Sequence, residues 1–449
     1  MDINSIKSVY FIGIGGIGMS ALARYFKFIG KEVAGYDKVS TQLTQELEAA
    51  GIEIHYEDNV DLIRANYKDV ASTLVVVTPA VPQEHSEWNY FKSNQFEIKK
   101  RSEVLGIITK DTYCFAVAGT HGKTTTTSIL GHLLFQAGLD VTAFVGGVVE
   151  NYQTNLIGSG KTVTVVEADE FDRSFLRLFP NVACITSTEA DHLDIFGTAE
   201  EMLVAFKDFA QRLPEANKLF VTEAVDLAGI QVGFGSDCSY QAKDIKVVNG
   251  WYVFDIVTPK ETIHNVSFGL PGRHNLSNAL MAFAMASDYG VDTQKLVEGL
   301  KSFRGVRRRF SYKIRREDLI YIDDYAHHPT EIKAASQGVH EMHGDKKIVA
   351  VFQPHLYSRT RDFMDEFAAA LSTFDNVILL DIYPARELPI EGVTSAKLLE
   401  QLTSKEKQLV AKEELITHLK ASDAEIILTI GAGDIGEMVQ DIKIALEGK

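Results

Sequence analysis

Two glycine-rich loops, each between an apolar segment and a helix-like segment, constrain the fold of this chain most strongly. The first is "FIGIGGIGMSALA", residues 11–23, and the second is "CFAVAGTHGKTTTT", residues 114–127. Loops of this kind follow the carboxyl end of a buried parallel strand and lead directly into a helix. Both therefore predict α/β architecture, in which parallel sheets are covered by helices.

The alternation of strand-like and helix-like segments continues along the whole chain. Apolar, β-branched runs such as "STLVVVTP", "TVTVVEAD" and "KIVAVFQP" alternate with helix-like segments that often end at glycine. The predicted helices include "TRDFMDEFAAALSTF" and the amphipathic "RHNLSNALMAFAMASDYG". A chain of 449 residues exceeds one ordinary hydrophobic core, and about two to four domains are expected at this length. The pattern predicts three consecutive α/β domains, the second beginning near Tyr113 and the third around "FRGVRRRF".

Charge and cysteine content limit the class of protein. The net charge of −16 argues against nucleic acid or an anionic membrane as the main partner. No apolar run reaches the roughly 18 residues of a membrane-spanning helix. Cys114, Cys184 and Cys238 are widely spaced, which disfavours a disulfide framework or a thiolate metal site. We expect buried, reduced thiols in a cytoplasmic protein, and the sequence gives no indication of the oligomeric state.

The first loop has the context of a nucleoside-diphosphate site. Gly13, Gly15 and Gly18 form GxGxxG, and Asp37 lies 19 residues beyond Gly18, at the end of the next strand-like run. In such a fingerprint the diphosphate lies on the helix N-terminus and the acidic residue accepts a ribose hydroxyl. The pattern does not choose NAD over another nucleoside diphosphate. The alternative is that these glycines serve only a tight turn.

The second loop is an irregular P-loop. Gly119, Gly122, Lys123 and Thr124 are present, but Val117 stands where the common GxxxxGK[ST] pattern has its first glycine. Backbone N–H groups and the helix N-terminus would surround a phosphate, Lys123 would reach its terminal oxygens, and the Thr124 hydroxyl could ligate Mg²⁺. The loop therefore predicts a hydrolysable triphosphate as its ligand.

Two acidic segments follow the P-loop at strand ends. The first, "EADEFD", contains Glu167, Asp169, Glu170 and Asp172, and the second, "TEADHLD", contains His192 among further acids. Each of these residues alone is more often a solvated loop residue than a ligand. Because Mg²⁺ prefers hard oxygen ligands and phosphates, their position after a P-loop favours Glu167 and His192 as metal ligands.

The third block carries a basic run and a histidine-rich segment. The basic run would place an arginine on the γ-phosphate of the nucleotide. The alternative is that the run is only a solvated linker. The run "FRGVRRRF" contains Arg304, Arg307, Arg308 and Arg309. The segments "YIDDYAHHPTE" and "FQPHLYSRTRDF" place Asp324, Tyr325, His327 and Arg359 after predicted strands. Zinc is disfavoured because the His-His pair has no third close ligand at zinc spacing.

In this order the motifs resemble the Mur ligase family, the ATP-dependent amide-forming enzymes of peptidoglycan precursor synthesis. The resemblance covers the whole length, from "GIGGIGMSALA" through "GTHGKTTTT", "EADEFDRSF", "EADHLD", "GRHNLSNALMA", "DDYAHHPTE" and "QPHLYSRT" to "GAGD". It implies a Rossmann-like domain for a UDP-sugar (1–107), a central P-loop ATPase domain (108–302) and a Rossmann-like domain that closes over ATP and the amino acid (303–449).

Within the family, "GIGGIGM" and "DDYAHHPTE" are most similar to the branch that adds L-alanine. The resemblance therefore implies ATP, UDP-N-acetylmuramate and L-alanine as substrates, together with two Mg²⁺ ions. ATP would phosphorylate the lactyl carboxylate, and the amine of L-alanine would then attack the acyl phosphate.

The resemblance also implies roles for individual residues. The ATP-binding set comprises Gly119, Thr120, His121, Gly122, Lys123, Thr124, Thr125, Asn278, Arg309 and Asp324. The UDP-sugar set comprises Gly13, Gly15, Gly16, Gly18, Asp37 and His121. Tyr325, His327 and Arg359 would line the alanine and muramoyl end, and Thr124, Glu167 and His192 would hold metal. The catalytic set comprises Lys123, His192, Arg309 and His327.

Two positions depart from the family. Leu356 stands where this branch usually has arginine, and Ala210 stands where other branches carry a modified lysine. The second departure implies that the chain relies on His192 at that metal.

Three rival functions stay open at this stage. One is a nucleotide-binding regulator without catalysis, which would explain both loops but not the metal-ligand and arginine set. Another Mur ligase or a folylpolyglutamate-synthetase-like ligase would share the ATPase core. An NAD-dependent oxidoreductase would explain residues 1–107 and leave the P-loop without a role.

Overall fold

The computed structural model describes residues 3–189, 196, 198–385 and 387–448. The chain divides into two compact units. The first comprises Met1–Lys243, Asp255–Val266 and Ser277–Phe303. The second comprises Asp244–Phe254, Ser267–Leu276 and Arg304–Lys449.

The amino-terminal sheet belongs to the first unit. Its strands are β1 (Ser8–Ile12), β2 (Glu32–Tyr36), β3 (Glu53–His55), β4 (Thr73–Val77) and β5 (Glu97–Lys100), and its helices are α1 (Ile17–Phe28), α2 (Gln42–Ala49), α3 (Ser86–Ser93) and α4 (Arg101–Lys110). Over the described residues the order is β3-β2-β1-β4-β5, and every pairing is parallel. The strand order reverses between β1 and β4, so the loop after β1 opens at a switch point, where such sheets bind ligands.

Strand β1 shows why this region folds as a covered parallel sheet. All of its residues are buried. Val9 and Phe11 enter the core on one face, and Tyr10 and Ile12 enter a second core on the other. A parallel strand that is covered on both faces has a continuous apolar sequence, as "SVYFI" does.

The central sheet carries the second glycine loop. Its strands are β6 (Tyr113–Ala118), β7 (Val141–Val149), β8 (Thr154–Gly158), β9 (Val163–Glu167), β10 (Val182–Ile185), β11 (Leu219–Thr222), β12 (Ile230–Gly233), β13 (Tyr240–Val248), β14 (Trp251–Val257) and β15 (Thr262–Phe268). The described part of the sheet has the order β15-β14-β13-β12-β11-β10-β6-β9-β7-β8. Strand β6 pairs in parallel with β10 and β9, so the carboxyl ends of these three strands meet at one edge. The helices of this region are α5 (Lys123–Gln136), α6 (Ala199–Ala210), α7 (Arg273–Tyr289) and α8 (Thr293–Ser302).

The carboxyl-terminal sheet belongs to the second unit. Its strands are β16 (Ser311–Arg315), β17 (Ile320–Asp324), β18 (Ile348–Phe352), β19 (Asn376–Leu379), β20 (Glu406–Leu409) and β21 (Ile426–Ile430). Its helices are α9 (Pro329–His343), α10 (Tyr357–Asp362), α11 (Met364–Leu371), α12 (Ser395–Gln401), α13 (Leu415–Ala421) and α14 (Val439–Glu447). The order across the described strands is β16-β17-β21-β18-β19-β20, with β16 antiparallel and the other pairings parallel. The three sheets confirm the predicted sequence of α/β blocks.

Strands β6–β12 lie in the first unit together with the amino-terminal sheet, because the two sheets share a core. Helix α1 packs against β7 and β8, and the rings of Tyr25 and Phe144 lie 5.3 Å apart. The buried Asn155 side chain donates to the Ile17 carbonyl at 2.6 Å and to Ser20 Oγ at 2.8 Å. The helix that follows the first glycine loop is therefore fixed to the central sheet.

Several local predictions need correction. The segment "TRDFMDEFAAALSTF" was expected as one helix, but α10 and α11 are separated at Phe363, where φ is −122°. Helix α7 was expected to be amphipathic, yet its residues from Ala279 to Ala286 are fully buried. The short strands β3 and β8 lack a long apolar run and were not predicted. Cys114, Cys184 and Cys238 are free; the first two are buried as expected, whereas Cys238 is only partly buried. None of the described helices is long and apolar enough to cross a bilayer.

A fully buried carboxylate, Glu87, lies beneath β1. Tyr10 Oη donates to Glu87 Oε2 at 2.8 Å, and the Asn59 N–H donates to Oε1 at 3.3 Å. His55 Nε2 lies 3.2 Å from the same Oε1. Burial raises the pKa of Glu87 to about 7 and lowers the pKa of His55. Burial therefore favours the neutral form of both groups.

We expect Glu87→Gln to become more stable relative to the wild type as the pH rises from 4.5 to about 7. In this window the folded wild type keeps a proton that its unfolded chain releases, so its stability falls with pH. The variant carries no such charge, and the difference should reach roughly 1–3 kcal/mol. Urea unfolding at several pH values measures it. A constant difference between the two proteins would contradict the buried, protonated carboxyl.

Candidate active site

The first glycine loop holds Asp37 by its own backbone. Gly13 has φ +86°, which favours glycine. The Gly15 N–H donates to Asp37 Oδ2 at 2.7 Å, and the Val39 N–H donates to Oδ1 at 3.3 Å. Gly16 precedes the first residue of α1. The structure thus brings the predicted aspartate and glycines together at the carboxyl edge of the amino-terminal sheet.

A cation that the sequence analysis missed lies against the same loop. A Cβ on Gly18 would lie 2.7 Å from Arg101 Cδ and 2.8 Å from its Nη1. Arg101 Nη2 is also 3.7 Å from Asp169 Oδ2. A side chain at position 18 would therefore force the Arg101 side chain to shift from the first turn of α1. The signal in the sequence was the basic run "KKR" at the end of β5.

The second glycine loop is shaped by two glycines with positive φ. Gly119 has φ +128° and Gly122 has φ +84°. A Cβ on Gly122 would lie 2.5 Å from Asn278 Oδ1, and one on Gly119 would lie 2.8 Å from the Ser187 nitrogen. The Thr120 N–H donates to the Ser187 carbonyl at 3.0 Å. Backbone and side chains of neighbouring segments therefore surround the loop closely, and they include the predicted Asn278.

The first turn of α5 meets the acidic end of β9. Thr124 Oγ1 donates to Glu167 Oε2 at 3.2 Å, and the Gly146 N–H donates to Glu167 Oε1 at 2.5 Å. Lys123 Nζ donates to both carboxylate oxygens of Glu170, at 2.9 and 2.8 Å. Glu170 was noted as one of several acids but was given no role. The sequence could not show which acid of "EADE" points inward.

The predicted metal site is only partly described. The hydroxyl of Thr124 and the carboxylate of Glu167 are adjacent hard oxygen donors, so this pair fits Mg²⁺. His192 lies outside the described residues. Among the residues that are described, no group of three or more His, Cys, Asp or Glu side chains is arranged to hold a metal.

His121 and Thr125 occupy different environments. His121 Nε2 lies 3.5 Å from Glu189 Oε2, and both side chains are exposed. The backbone carbonyl of His121 accepts a hydrogen bond from Thr186 Oγ1. Thr125 is buried in the first turn of α5. The His121 backbone therefore belongs to the loop, while its side chain is oriented towards Glu189.

In the second unit, the backbone on both sides of β17 holds Asp324. The Phe310 N–H donates to Oδ2 and the Ala326 N–H donates to Oδ1, both at 2.7 Å. Burial raises the pKa of Asp324 to about 6. The two hydrogen bonds fix the Asp324 carboxylate at the carboxyl end of β17.

The basic run contributes Arg308 to this strand end. Its Nε donates to the fully buried Asp323 at 3.3 Å and its Nη2 donates to the Gly431 carbonyl at 2.5 Å. The guanidinium also lies over the Tyr325 ring, 5.1 Å from its centroid. Arg309, which the resemblance selected, is exposed. Its role at the γ-phosphate stays a prediction.

Histidines and an arginine form a cluster beside Tyr325. His327 Nδ1 lies 3.0 Å from the Tyr325 carbonyl and 3.5 Å from Glu331 Oε2. The rings of His327 and His355 are 6.4 Å apart. Arg359 Nη1 donates to His355 Nδ1 at 3.3 Å. The structure therefore groups the residues predicted for the alanine and muramoyl end.

The two departures from the family have clear positions. Leu356 has φ +73° and directly precedes α10, and its N–H donates to the Tyr383 carbonyl at 3.0 Å. Such a conformation is unusual for a residue other than glycine. Ala210 is the last residue of α6 and packs against the core of the first unit.

We expect Gly119→Ala to weaken nucleotide binding by about tenfold or more, because the added Cβ creates roughly 1–3 kcal/mol of strain in the loop. Gly138→Ala is the matched control: Gly138 also has positive φ, +86°, but nothing lies within 4 Å of its added Cβ. Calorimetric titration with ATP measures both variants. Equal affinities would contradict the close packing around Gly119.

Comparison with known proteins covers the whole chain. The profile of the Mur ligase family, catalytic domain, matches residues 8–113. The Mur ligase middle domain matches 117–286, and the Mur ligase, glutamate ligase domain, matches 308–433.

Individual relatives agree with these profiles. UDP-N-acetylmuramate–L-alanine ligase of Flavobacterium psychrophilum is 62% identical over 449 residues, covering 100% of both chains. The crystal structure of UDP-N-acetylmuramate–alanine ligase from Thermotoga maritima has a TM-score of 0.82 at 27% identity, covering 98% of this chain and 99% of that one. Folylpolyglutamate synthase from Thermotoga maritima is 14% identical with a TM-score of 0.59, covering 77% and 91%, so it shares the fold alone. The chain belongs to the Mur ligase family.

Proposed function

We propose that this chain is an ATP-dependent ligase that joins L-alanine to the lactyl carboxylate of UDP-N-acetylmuramate, in cytoplasmic peptidoglycan precursor synthesis. The full-length similarity to a ligase of that name supports the choice of substrates. One structural observation carries the proposal: the first unit contains two glycine loops, and the acidic segment after β9 contacts both Lys123 and Arg101. Two phosphorylated substrates can therefore be held in one unit.

ATP would bind at the second loop. The backbone N–H groups of Gly119–Gly122 and the N-terminus of α5 would surround its phosphates, and Lys123 would contact the terminal oxygens. Mg²⁺ held by Thr124 and Glu167 would neutralise part of the phosphate charge. That neutralisation matters because the incoming substrate is itself a carboxylate.

The UDP portion of the acceptor would bind at the first loop. Its diphosphate would lie at the N-terminus of α1, where Gly13, Gly15 and Gly18 leave room for it. Asp37, fixed by the Gly15 N–H at 2.7 Å, is placed at the end of β2, as an acceptor for the ribose hydroxyls requires. This loop then serves UDP and not NAD.

The reaction needs two displacements. A lactyl oxygen attacks the γ-phosphorus, and the bond from that phosphorus to the β-phosphate bridging oxygen breaks to release ADP. The amine of L-alanine then attacks the acyl carbon, the amide forms, phosphate leaves and the nitrogen loses a proton. Asp324 would contact the ATP ribose, Arg309 the γ-phosphate, and Tyr325, His327 and Arg359 the amino-acid end.

The domain boundaries belong to the same proposal. We place the UDP-sugar domain at 1–107, the ATPase domain at 108–302 and the closing domain at 303–449. The separate matches of three family profiles support this order.

We expect Lys123→Ala to reduce L-alanine-dependent phosphate release by about a hundredfold or more, since a positioned cation stabilises the charge of the transferring phosphoryl group. Phosphate release is measured with ATP, UDP-N-acetylmuramate and each of several amino acids. L-Alanine should give the highest rate with the wild-type protein.

The same assay separates the rival functions. Equal ADP formation with every amino acid would contradict the alanine assignment, and a preference for glutamate with a folate acceptor would favour the folylpolyglutamate reaction. A nicotinamide absorbance change on adding substrate would favour the oxidoreductase.

We expect Glu167→Gln to raise the Mg²⁺ concentration required for half-maximal activity by about tenfold or more, because a charged metal ligand is lost. Glu103→Gln is the control, since Glu103 pairs with Arg177 at 2.9 Å and is partly exposed. An unchanged Mg²⁺ requirement in the Glu167 variant would remove that residue from the metal site.

A further inference from the structure

The buried pair of Lys123 and Glu170 is not explained by the reaction above. The Glu170 side chain is 0% exposed and the Lys123 side chain is 16% exposed. Both carboxylate oxygens lie within 2.9 Å of the ammonium. An unpaired carboxylate at such a site would cost several kcal/mol in lost solvation. The lysine that is expected to bind nucleotide therefore supplies the counter-charge of Glu170.

The backbone fixes Glu170 in this position. It follows β9 by three residues and directly precedes the 3₁₀ helix Phe171–Arg177. The Arg173 N–H donates to the Glu170 carbonyl at 2.8 Å. The local chain thus fixes the backbone from which the Glu170 side chain extends, and Lys123 has the longer and more adaptable side chain of the pair.

The Lys123 ammonium has no donor to spare in this arrangement. It donates to the Gly119 carbonyl at 2.7 Å, to the Thr120 carbonyl at 3.4 Å and to Glu170. An ammonium group has three N–H donors. A phosphate oxygen that contacts Lys123 must therefore replace one of these acceptors.

Glu170 is the acceptor that a phosphate would replace. The Gly119 and Thr120 carbonyls are neutral and belong to the loop that surrounds the phosphates. Glu170 carries a negative charge, as the phosphates do, and like charges in a buried site repel each other strongly. The carboxylate and the nucleotide would therefore compete for the same ammonium.

We propose that Glu170 is a positioning residue that holds Lys123 over the P-loop and is exchanged for the nucleotide phosphates, so that it sets the affinity for ATP. This inference rests on the proposed binding of ATP at the second loop. The exchange keeps the lysine paired both before and after binding. It also opposes tight retention of ADP once the γ-phosphate has been transferred.

The test is Glu170→Gln, which keeps the shape of the side chain and removes its charge. The variant should bind ATP about tenfold more tightly by calorimetric titration, because the competing charge is absent. Its melting temperature without nucleotide should fall, and the increase on adding ATP should exceed that of the wild type. Unchanged ATP affinity would mean that Glu170 is only a structural counter-ion of Lys123. Weaker ATP binding would mean that Glu170 contributes directly to the complex with ATP. Either result overturns the proposal.

Two further variants serve as an alternative and as a control in this test. Glu170→Asp keeps the charge but moves it back by one methylene, so a smaller gain in ATP affinity is expected. This variant replaces Glu170→Gln in the test if the glutamine variant does not fold. A loss of ATP affinity in the aspartate variant would count against the exchange. Glu87→Gln is the matched control, because Glu87 is equally buried but contacts Tyr10. Its ATP affinity should equal that of the wild type.

Lys123→Ala separates this inference from the proposed function. If the alanine variant binds ATP as well as the wild type, ATP does not use this loop, and the site assignment fails together with the exchange. If it binds ATP weakly while Glu170→Gln behaves as the wild type, only the exchange fails. In a Lys123→Ala background, Glu170→Gln should tighten ATP binding less than it does in the wild type, because the carboxylate and the nucleotide no longer share an ammonium.

Discussion

The contact between the first turn of α5 and the acidic end of β9 is the interaction on which the site of the first unit depends. It places a cation, a hydroxyl and two carboxylates at the edge of the central sheet, in pairs made by Lys123 with Glu170 and Thr124 with Glu167. Glu170, the buried carboxylate of this set, is paired with the Lys123 ammonium, so its burial is tolerated. The same segment reaches Arg101 beside the first loop through Asp169.

The shared core of the first unit also connects this contact with the first glycine loop. Asn155 fixes the start of α1 to the central sheet through the Ile17 carbonyl and Ser20 Oγ. The helix N-terminus expected to hold one substrate's diphosphate therefore belongs to the same compact unit as the loop expected to hold ATP. A close-packed core has low compressibility, so the two loops keep a fixed position relative to each other within this unit.

Most of the architecture followed from the sequence, because buried parallel strands have continuous apolar sequences and glycine loops have few alternative uses. Strands such as β1, β6 and β18 were predicted for this reason. The short strands β3 and β8 were not, because they contain too few apolar residues to stand out. The prediction of one helix over α10 and α11 was wrong. The hydrophobic periodicity of the sequence continues across Phe363, but the helical backbone conformation is interrupted there. In the site, Glu170, Arg101 and Arg308 were missed or not chosen, because several like-charged neighbours compete in each run.

Sequence alone was enough to predict the three α/β blocks, the two glycine loops, and the residues Lys123, Thr124 and Glu167 as candidates for one site. Periodicity and motif spacing are local properties, so they can be read without knowing the packing. Long-range packing selects which acid pairs with the P-loop lysine, which arginine meets Asp323, and which side chain lies against Gly18. Those choices depend on contacts between segments far apart in the chain, where burial selects one side chain from several that the sequence makes equivalent.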